Sequence, residues 1–417
     1  MKKIVSFFYC FLLMYSINAQ RVCGSLSYLN KMGVPQYNQQ ELINASQNLF
    51  ARDTFSNELI TIPVVFHILY NNSSQNISNA QLQSQLKVLN EDYRRWNSDS
   101  SNTPHAFKPM AADCNIMFCL AQINPSGMPT TGIIRKYTNR ASFAVDDAVK
   151  YSAAGGDDAW DSKKYLNIWV CNLSGGVLGY STTPGMQADK DGVVIQYDAF
   201  GTVGNVRAQF NKGRTATHEV GHWLGLLHIW GDQKCGTDYV ADTPSQSDYN
   251  SNCPSFPHVS DCSPNSNGDM FMNFMDYTND ACMNMFTYGQ KNRMRSLFAT
   301  NGIRNTFLKS YVCDSSLAMG ASIPSDTLKA TNNTELLNSN LTIYPNPVQS
   351  FFELAPKNGY EIIGKTIVIY NLSGKVVLKR AITNATEKIN MLGVGPGIYF
   401  LKVLESDDNK MYKLVKI

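Results

Sequence analysis

Apolar residues run almost unbroken through Ile62-Pro63-Val64-Val65-Phe66-His67-Ile68-Leu69-Tyr70, and the β-branched and aromatic content at that length predicts a buried strand. The period then changes. Over 78–96, Leu82, Leu86, Leu89 and Tyr93 recur at helical spacing, with Ser78 or Asn79 placed to cap the start. Further strands are predicted at 116–121, 166–170 and 192–197. A long helical pattern follows, whose apolar positions are Ala216, Val220, Trp223 or Leu224, and Leu227. From 235 to 282 cysteines and glycines replace any regular period, so a loop-rich lobe held by disulfides is expected; helical spacing returns at 290–298. Residues 314–340 are rich in Ser, Thr, Asn and Ala and lack aromatics, the composition of a solvated linker. Beyond it, short β-rich runs at 341–344, 351–354, 365–370, 376–381, 398–404 and 411–417 predict a small all-β sandwich. The fold class is therefore α+β, with a mixed domain over 59–313, a linker over 314–340 and a β-sandwich over 341–417.

The beginning of the chain reads differently. Lys2 and Lys3 precede an apolar run that ends in small and polar residues near Ala19, the order of a signal peptide over 1–19, and the run is too short for the ~20 residues that cross a bilayer. Residues 20–58 are rich in Asn, Gln and Ser with no sustained helix or strand period, which suits a prosegment. Net charge of +3, from 36 basic and 33 acidic residues, is too balanced to favour a nucleic-acid or membrane-surface partner. With Cys10 lost in the signal, nine cysteines remain. In an exported protein disulfides persist, so an odd number leaves at least one thiol for another role.

The sharpest signal is His218-Glu219-Val220-Gly221-His222-Trp223-Leu224-Gly225-Leu226-Leu227-His228. Positions i and i+4 share a helix face, so His218 and His222 can hold one metal with Glu219 beside them. Gly225 can turn the chain and bring His228 round as a third ligand, leaving a fourth position for water. Zinc lowers the pKa of such a water to about 7, and Glu219 can take its proton and pass it to the leaving amine of a peptide bond. His67, His105 and His258 lack such company and suit core or surface roles. In Asn273-Phe274-Met275-Asp276-Tyr277 the methionine can form a floor under the metal, and Tyr277 can donate to the oxyanion. Alone, Met275 would read as an ordinary core residue.

With these residues the sequence resembles the metzincin zinc peptidases and, within them, the pappalysin group. The likeness covers roughly 60–300. It includes Gly179-Tyr180, Asp191-Gly192-Val193-Val194-Ile195 and the Gly213-Arg214-Thr215-Ala216-Thr217 lead into the zinc motif. The resemblance implies a two-lobed catalytic domain, a twisted mixed sheet with helices above a loop-rich lower lobe. It also implies zinc ligands His218, His222 and His228, base Glu219, Met-turn Met275 and a mobile Tyr277. It further suggests disulfides Cys235–Cys262 and Cys253–Cys282, and structural calcium at Asp238 and Thr243, where hard oxygen donors are available; the competing reading of that stretch is an Asp-rich surface turn. Cys23 is expected either to occupy the open zinc position in a latent zymogen or to pair with one of Cys114, Cys119, Cys171 and Cys313. Arg52 is a candidate activation cut. Members that cleave before arginine use an acidic residue near the Met-turn, for which Asp280 is the candidate.

At the other end, Tyr344-Pro345-Asn346-Pro347, Tyr370-Asn371-Leu372-Ser373-Gly374-Lys375, Gly395-Pro396-Gly397-Ile398-Tyr399 and Lys413-Leu414-Val415-Lys416-Ile417 resemble a type IX secretion sorting domain. The expected protein is thus a secreted or cell-surface zinc endopeptidase, acting on protein or peptide substrates and exported through that machinery, with no transmembrane segment. Its rival is a noncatalytic surface adhesin on a decayed peptidase scaffold. Such a scaffold need keep neither Glu219 nor all three histidines, and this chain has both. A carbohydrate-binding role for the C-terminal domain has no cluster of exposed aromatics to recommend it.

Overall fold

The computed structural model describes residues 20–33, 58–262, 267–310, 312–313 and 341–416, the last with breaks at 347, 357–361, 372–375, 396 and 405–410. The expected signal at 1–19, most of the expected prosegment with Arg52, and the expected linker at 314–340 lie outside the described residues. Two compact units divide at residues 323 and 324.

In the first unit, β1 (Ile60–Tyr70) is the centre of a six-stranded sheet and is buried at nearly every position. Strands β2 (Ile116–Leu120) and β3 (Ile133–Tyr137) share one side of it, and β4 (Leu166–Cys171) takes the other. β6 (Val193–Gln196) continues the parallel set, and the edge strand β5 (Gly179–Ser181) closes it antiparallel. A proline inside a central strand removes a ladder donor. Pro63 escapes this cost: Ile60 and Phe66 donate toward the β2 and β3 side, so Pro63, in the odd set, faces the β4 side, where pairing begins only at Val64.

Alternation along the strands assigns two cores. Val64, Phe66, Ile68, Ile168 and Ile195 face the helices, whereas Leu69, Trp169, Cys171 and Val194 face the opposite side. On the helix side lies α2 (Asn79–Tyr93), capped by Ser78, whose hydroxyl accepts from Gln81 N at 3.2 Å. It ends before Trp96, because Arg95 turns to a positive φ of 50°. Two buried amides of α2 organise the loops leading to the next helix: Gln81 donates to Phe200 O, and Gln85 donates to Gly213 O. Beneath them sits α3 (Arg214–Trp223), all ten of whose residues are buried.

Among the described residues, the stretch from Cys235 to Cys282 carries turns and an isolated bridge at Asn273 but no helix longer than one 3₁₀ turn. α4 (Tyr288–Ser296) follows, its start closed by a reciprocal Thr287 and Gln290 capping box. The N-terminal segment departs from the sequence expectation, because Ser25–Lys31 forms a short helix, α1. Its apolar residues are too few to show a period; Tyr28 and Leu29 are ordered by the surface they bury against. Strands β3 and β5 were also not anticipated, being half-exposed and three residues long respectively.

The second unit contains a four-stranded sheet of β9 (Thr366–Asn371), β10 (Val376–Ala381), β12 (Gly397–Val403) and β13 (Met411–Lys416), and a three-stranded sheet of β7 (Leu341–Tyr344), β8 (Phe351–Pro356) and β11 (Glu387–Asn390). Phe352, Leu354, Ile367, Ile369, Ile389 and Leu401 form one core across both sheets, the arrangement of a small sandwich. β11 escapes the sequence reading because Glu387-Lys388-Ile389-Asn390 holds a single apolar residue.

Candidate metal centre

Helix α3 places His218 and His222 one turn apart, with His218 over Phe274-Met275 and Glu219 facing the β5 edge. A Cβ on Gly221 would stand 2.5 Å from the Met275 sulfur, and a Cβ on Gly179 would stand 2.7 Å from Glu219 Cγ, so both close approaches require glycine. After Trp223 the helix ends. Gly225 takes a φ of 84°, and the chain returns with His228 against His222.

The three imidazoles converge through their Nε2 atoms, with His222 Nε2 3.1 Å from both His218 Nε2 and His228 Nε2. Each Nδ1 is occupied: His218 donates to Phe274 O at 2.7 Å, His222 to Leu226 O at 2.9 Å, and His228 to Asp232 Oδ1 at 2.5 Å. A neutral imidazole donating from Nδ1 offers only a lone pair at Nε2. Burial, with His228 beside it, depresses His222 to about 3, and burial likewise takes His218 well below its usual range. Three inward lone pairs repel unless a cation lies between them. Their separation suits tetrahedral nitrogens at the ~2.0–2.1 Å of zinc. Cys23 Sγ completes the set at 3.6 Å from His222 Nε2, and all four donors lie within 4.8 Å of one another.

Glu219 is almost fully buried, and burial lifts its carboxyl to about 7. Its Oε2 accepts from the Ser25 hydroxyl at 2.9 Å. Tyr277 packs its ring edge-to-face with His228 and Trp230, at centroid distances of 4.9 and 4.7 Å, and its hydroxyl reaches toward Cys23 O at 3.5 Å. The N-terminal segment thus fills the cleft, bridging to Gly179 through Gly24 N→Gly179 O at 2.8 Å and Leu178 N→Val22 O at 2.9 Å.

Asp280 is fully buried, and Arg21 meets it. Arg21 Nη2 is 2.5 Å from Asp280 Oδ1, Nη1 donates to Thr215 Oγ1, Nε donates to Thr278 O, and the guanidinium lies over the Phe210 ring. Asp280 Oδ2 also accepts from Lys212 N and Arg214 N. Asp238 and Thr243 are adjacent, the Thr243 hydroxyl donating to Asp238 Oδ1 at 2.7 Å, while buried Asp238 Oδ2 has no hydrogen-bond partner. His105 and His258 are exposed; His67 is buried, with Asp157 and Asn167 at its two ring nitrogens.

Disulfides join Cys235 to Cys262, Cys253 to Cys282 and Cys119 to Cys313. Among the described residues Cys23, Cys114 and Cys171 remain free, so Cys23 is paired with none of Cys114, Cys119, Cys171 and Cys313.

Comparison with known proteins agrees with this geometry. Residues 150–299 match the peptidase M43 family, described as pregnancy-associated plasma protein-A, and residues 342–417 match the secretion system C-terminal sorting domain. An extracellular metalloprotease of Arthroderma benhamiae is 31% identical over 295 residues, covering 68% of this chain and 85% of its own length. The chain belongs to the pappalysin family of metallopeptidases. Tannerella forsythia promirolysin is 49% identical with a TM-score of 0.65, over 69% of this chain and 97% of that one. Mature mirolysin of the same organism, solved with a cleaved peptide, is 52% identical with a TM-score of 0.60, over 63% and 98%. The first unit therefore has the metzincin fold, and the sorting domain marks this pappalysin as exported by type IX secretion. No described helix is long and apolar enough to cross a membrane.

Arg21, Ser25 and Asp232 were not assigned roles from the sequence. Asp232 lies four positions past His228, and Arg21 two residues before Cys23, so spacing from residues already singled out is the signal that could have found them.

Proposed function

We propose that this pappalysin is a zinc endopeptidase made latent by its N-terminal segment and selective for arginine on the primed side of the cut. The observation that carries the catalytic reading is the convergence of three Nε2 lone pairs beside the buried carboxyl of Glu219. His218, His222 and His228 would hold zinc. Bound there, zinc polarises the scissile carbonyl and acidifies a water. Glu219 takes the water's proton and delivers it to the leaving amine, a role for which a pKa near neutrality is suited. Tyr277, whose hydroxyl already reaches toward the Cys23 carbonyl, donates to the carbonyl oxygen as charge develops on it. Met275 supports the helix beneath the histidines.

Latency follows from the same contacts. Cys23 would supply the fourth zinc ligand, and Ser25 engages the base through its hydroxyl, so neither water nor substrate can take its place. Arg21 in the Asp280 pocket shows how a guanidinium fits there, which supports cleavage before arginine. Asp238 and Thr243 are proposed calcium ligands, supported by the unpartnered Asp238 Oδ2; EGTA should then lower the melting temperature, and an unchanged value would remove that assignment.

The decisive experiment measures metal content and turnover together. Glu219→Ala protein should keep one zinc per chain yet lose roughly 10²–10⁴-fold in kcat. Cleavage that survives this change would end the mechanism.

A further inference from the structure

Latency through the metal does not require the second contact that the N-terminal segment makes. Beyond Cys23, α1 turns over the β5 edge and lays Tyr28 on the sheet face opposite α3, among Phe143, Val149, Trp169 and Tyr180. Tyr28 is 0% exposed. Its ring packs on Tyr180 at 5.1 Å, and Lys150 Nζ stands 4.7 Å from the ring centroid. Its hydroxyl donates to Asp147 Oδ2 at 3.0 Å and accepts from Lys150 Nζ at 3.3 Å.

Both charged partners are buried, at 3% and 0% exposure, and they pair with each other at 2.8 Å. Lys190 Nζ approaches the same carboxylate at 3.7 Å. Asp147 adopts a φ of 66°, a backbone conformation disfavoured outside glycine and asparagine-like turns, which the surrounding structure must hold. Apolar contact alone would seat a ring. Burying an ion pair beneath it adds a desolvation cost that only well-made hydrogen bonds offset, so this site reads the hydroxyl as well as the ring. Burial, with Asp147 beside it, raises the Tyr28 phenol above its ordinary range and keeps its proton available to donate. Apart from Tyr28, every one of these groups lies between residues 143 and 190, in the domain that persists once the N-terminal segment is cut away.

We infer that this is a phenol-binding site of the catalytic domain, and that its ligand in the processed protein is the excised N-terminal segment, retained through Tyr28 independently of the metal. The inference rests on the proposed removal of that segment at activation. It makes activation two events, a cut and a release, and the cut protein stays inhibited until the segment dissociates.

Full-length protein cut between residues 34 and 58 and freed of its segment can be titrated with labelled peptides spanning residues 20–33, followed by fluorescence anisotropy. A Cys23→Ala peptide should keep saturable binding, weaker than the native peptide. Adding Tyr28→Phe to it should weaken binding a further ten- to hundredfold, because Asp147 and Lys150 lose a shared partner. Failure of the Cys23→Ala peptide to bind would show that the metal contact alone holds the segment and would overturn the inference. Equal binding by the phenylalanine peptide would overturn it too. The proposed cysteine latency fails separately, through a full-length Cys23→Ala protein that stays inactive, and the tyrosine-to-phenylalanine ratio is unaffected by that result.

Discussion

Arg21 and Asp280, 259 positions apart in the chain, meet at 2.5 Å in a pocket that leaves neither side chain more than marginally exposed. The same pocket supplies a hydroxyl from Thr215, a carbonyl from Thr278 and the face of Phe210, so every guanidinium nitrogen has an acceptor. An isolated buried carboxylate would be costly, and Asp280 is stabilised further by the Lys212 and Arg214 amides.

Asp280→Asn should therefore act on specificity. Losing one partner of a buried, hydrogen-bonded charge pair costs roughly 3–5 kcal/mol, about 10²–10⁴ in kcat/KM for peptides cut before arginine. Peptides with norleucine at that position should change little. A uniform loss across both series would assign Asp280 to structure instead.

The N-terminal segment meets the site through Arg21, Cys23 and Ser25 together, and the proposed latency assigns all three contacts to inhibition. Cys23→Ala in the full chain should give measurable activity before any cut and should speed autolytic activation in a time course. An unprocessed variant as silent as the wild type would show that Arg21 and Ser25 suffice.

Asp232 accepts from His228 Nδ1 at 2.5 Å, fixing the tautomer that turns Nε2 inward. Loss of such a partner typically weakens metal binding 10–100-fold. Asp232→Asn should raise the zinc dissociation constant by that factor in chelator competition, with Asp232→Glu partly restoring it. An unchanged constant would reduce Asp232 to a packing role.

Asp92 links α2 to α3, accepting from Thr217 Oγ1 at 2.7 Å and lying 3.0 Å from Arg214 Nε. Burial nonetheless lifts its carboxyl to about 7. A raised carboxyl pKa means that the native state binds the proton more tightly than the unfolded chain. The associated stability is present below about pH 4 and is lost as pH rises through about 7, at up to ~1.4 kcal/mol per pH unit. Urea unfolding from pH 5 to 8 should show wild type losing stability relative to Asp92→Asn as pH rises. Parallel curves would place Asp92 in its ordinary, ionised range.

Much of the site was legible because it is local. His218, Glu219 and His222 occupy one helical turn, and Gly225 supplies the φ of 84° that returns His228, so ligand spacing and turn chemistry suffice to predict the cluster. The long buried strand at Ile60–Tyr70 was legible for a similar reason, since a continuous β-branched run has few other stable environments. Helix α1 was not, because two buried apolar residues carry no period and their order comes from the sheet face they meet. Nor could spacing alone choose a partner for Cys119: Cys313 lies 194 residues away, and only the fold brings the two Cα atoms to 6.2 Å.

What the sequence determined by itself is the chemistry of the helix and the type of each unit, since backbone periodicity and side-chain identity act over a few residues. What only the tertiary structure decided is which distant groups complete that chemistry. Arg21 against Asp280, Ser25 against Glu219 and Tyr28 against Lys150 each join the N-terminal segment to residues more than a hundred positions later. Such pairs depend on how the chain crosses the β5 edge, and that path follows from burying both faces of one sheet rather than from any short stretch of residues.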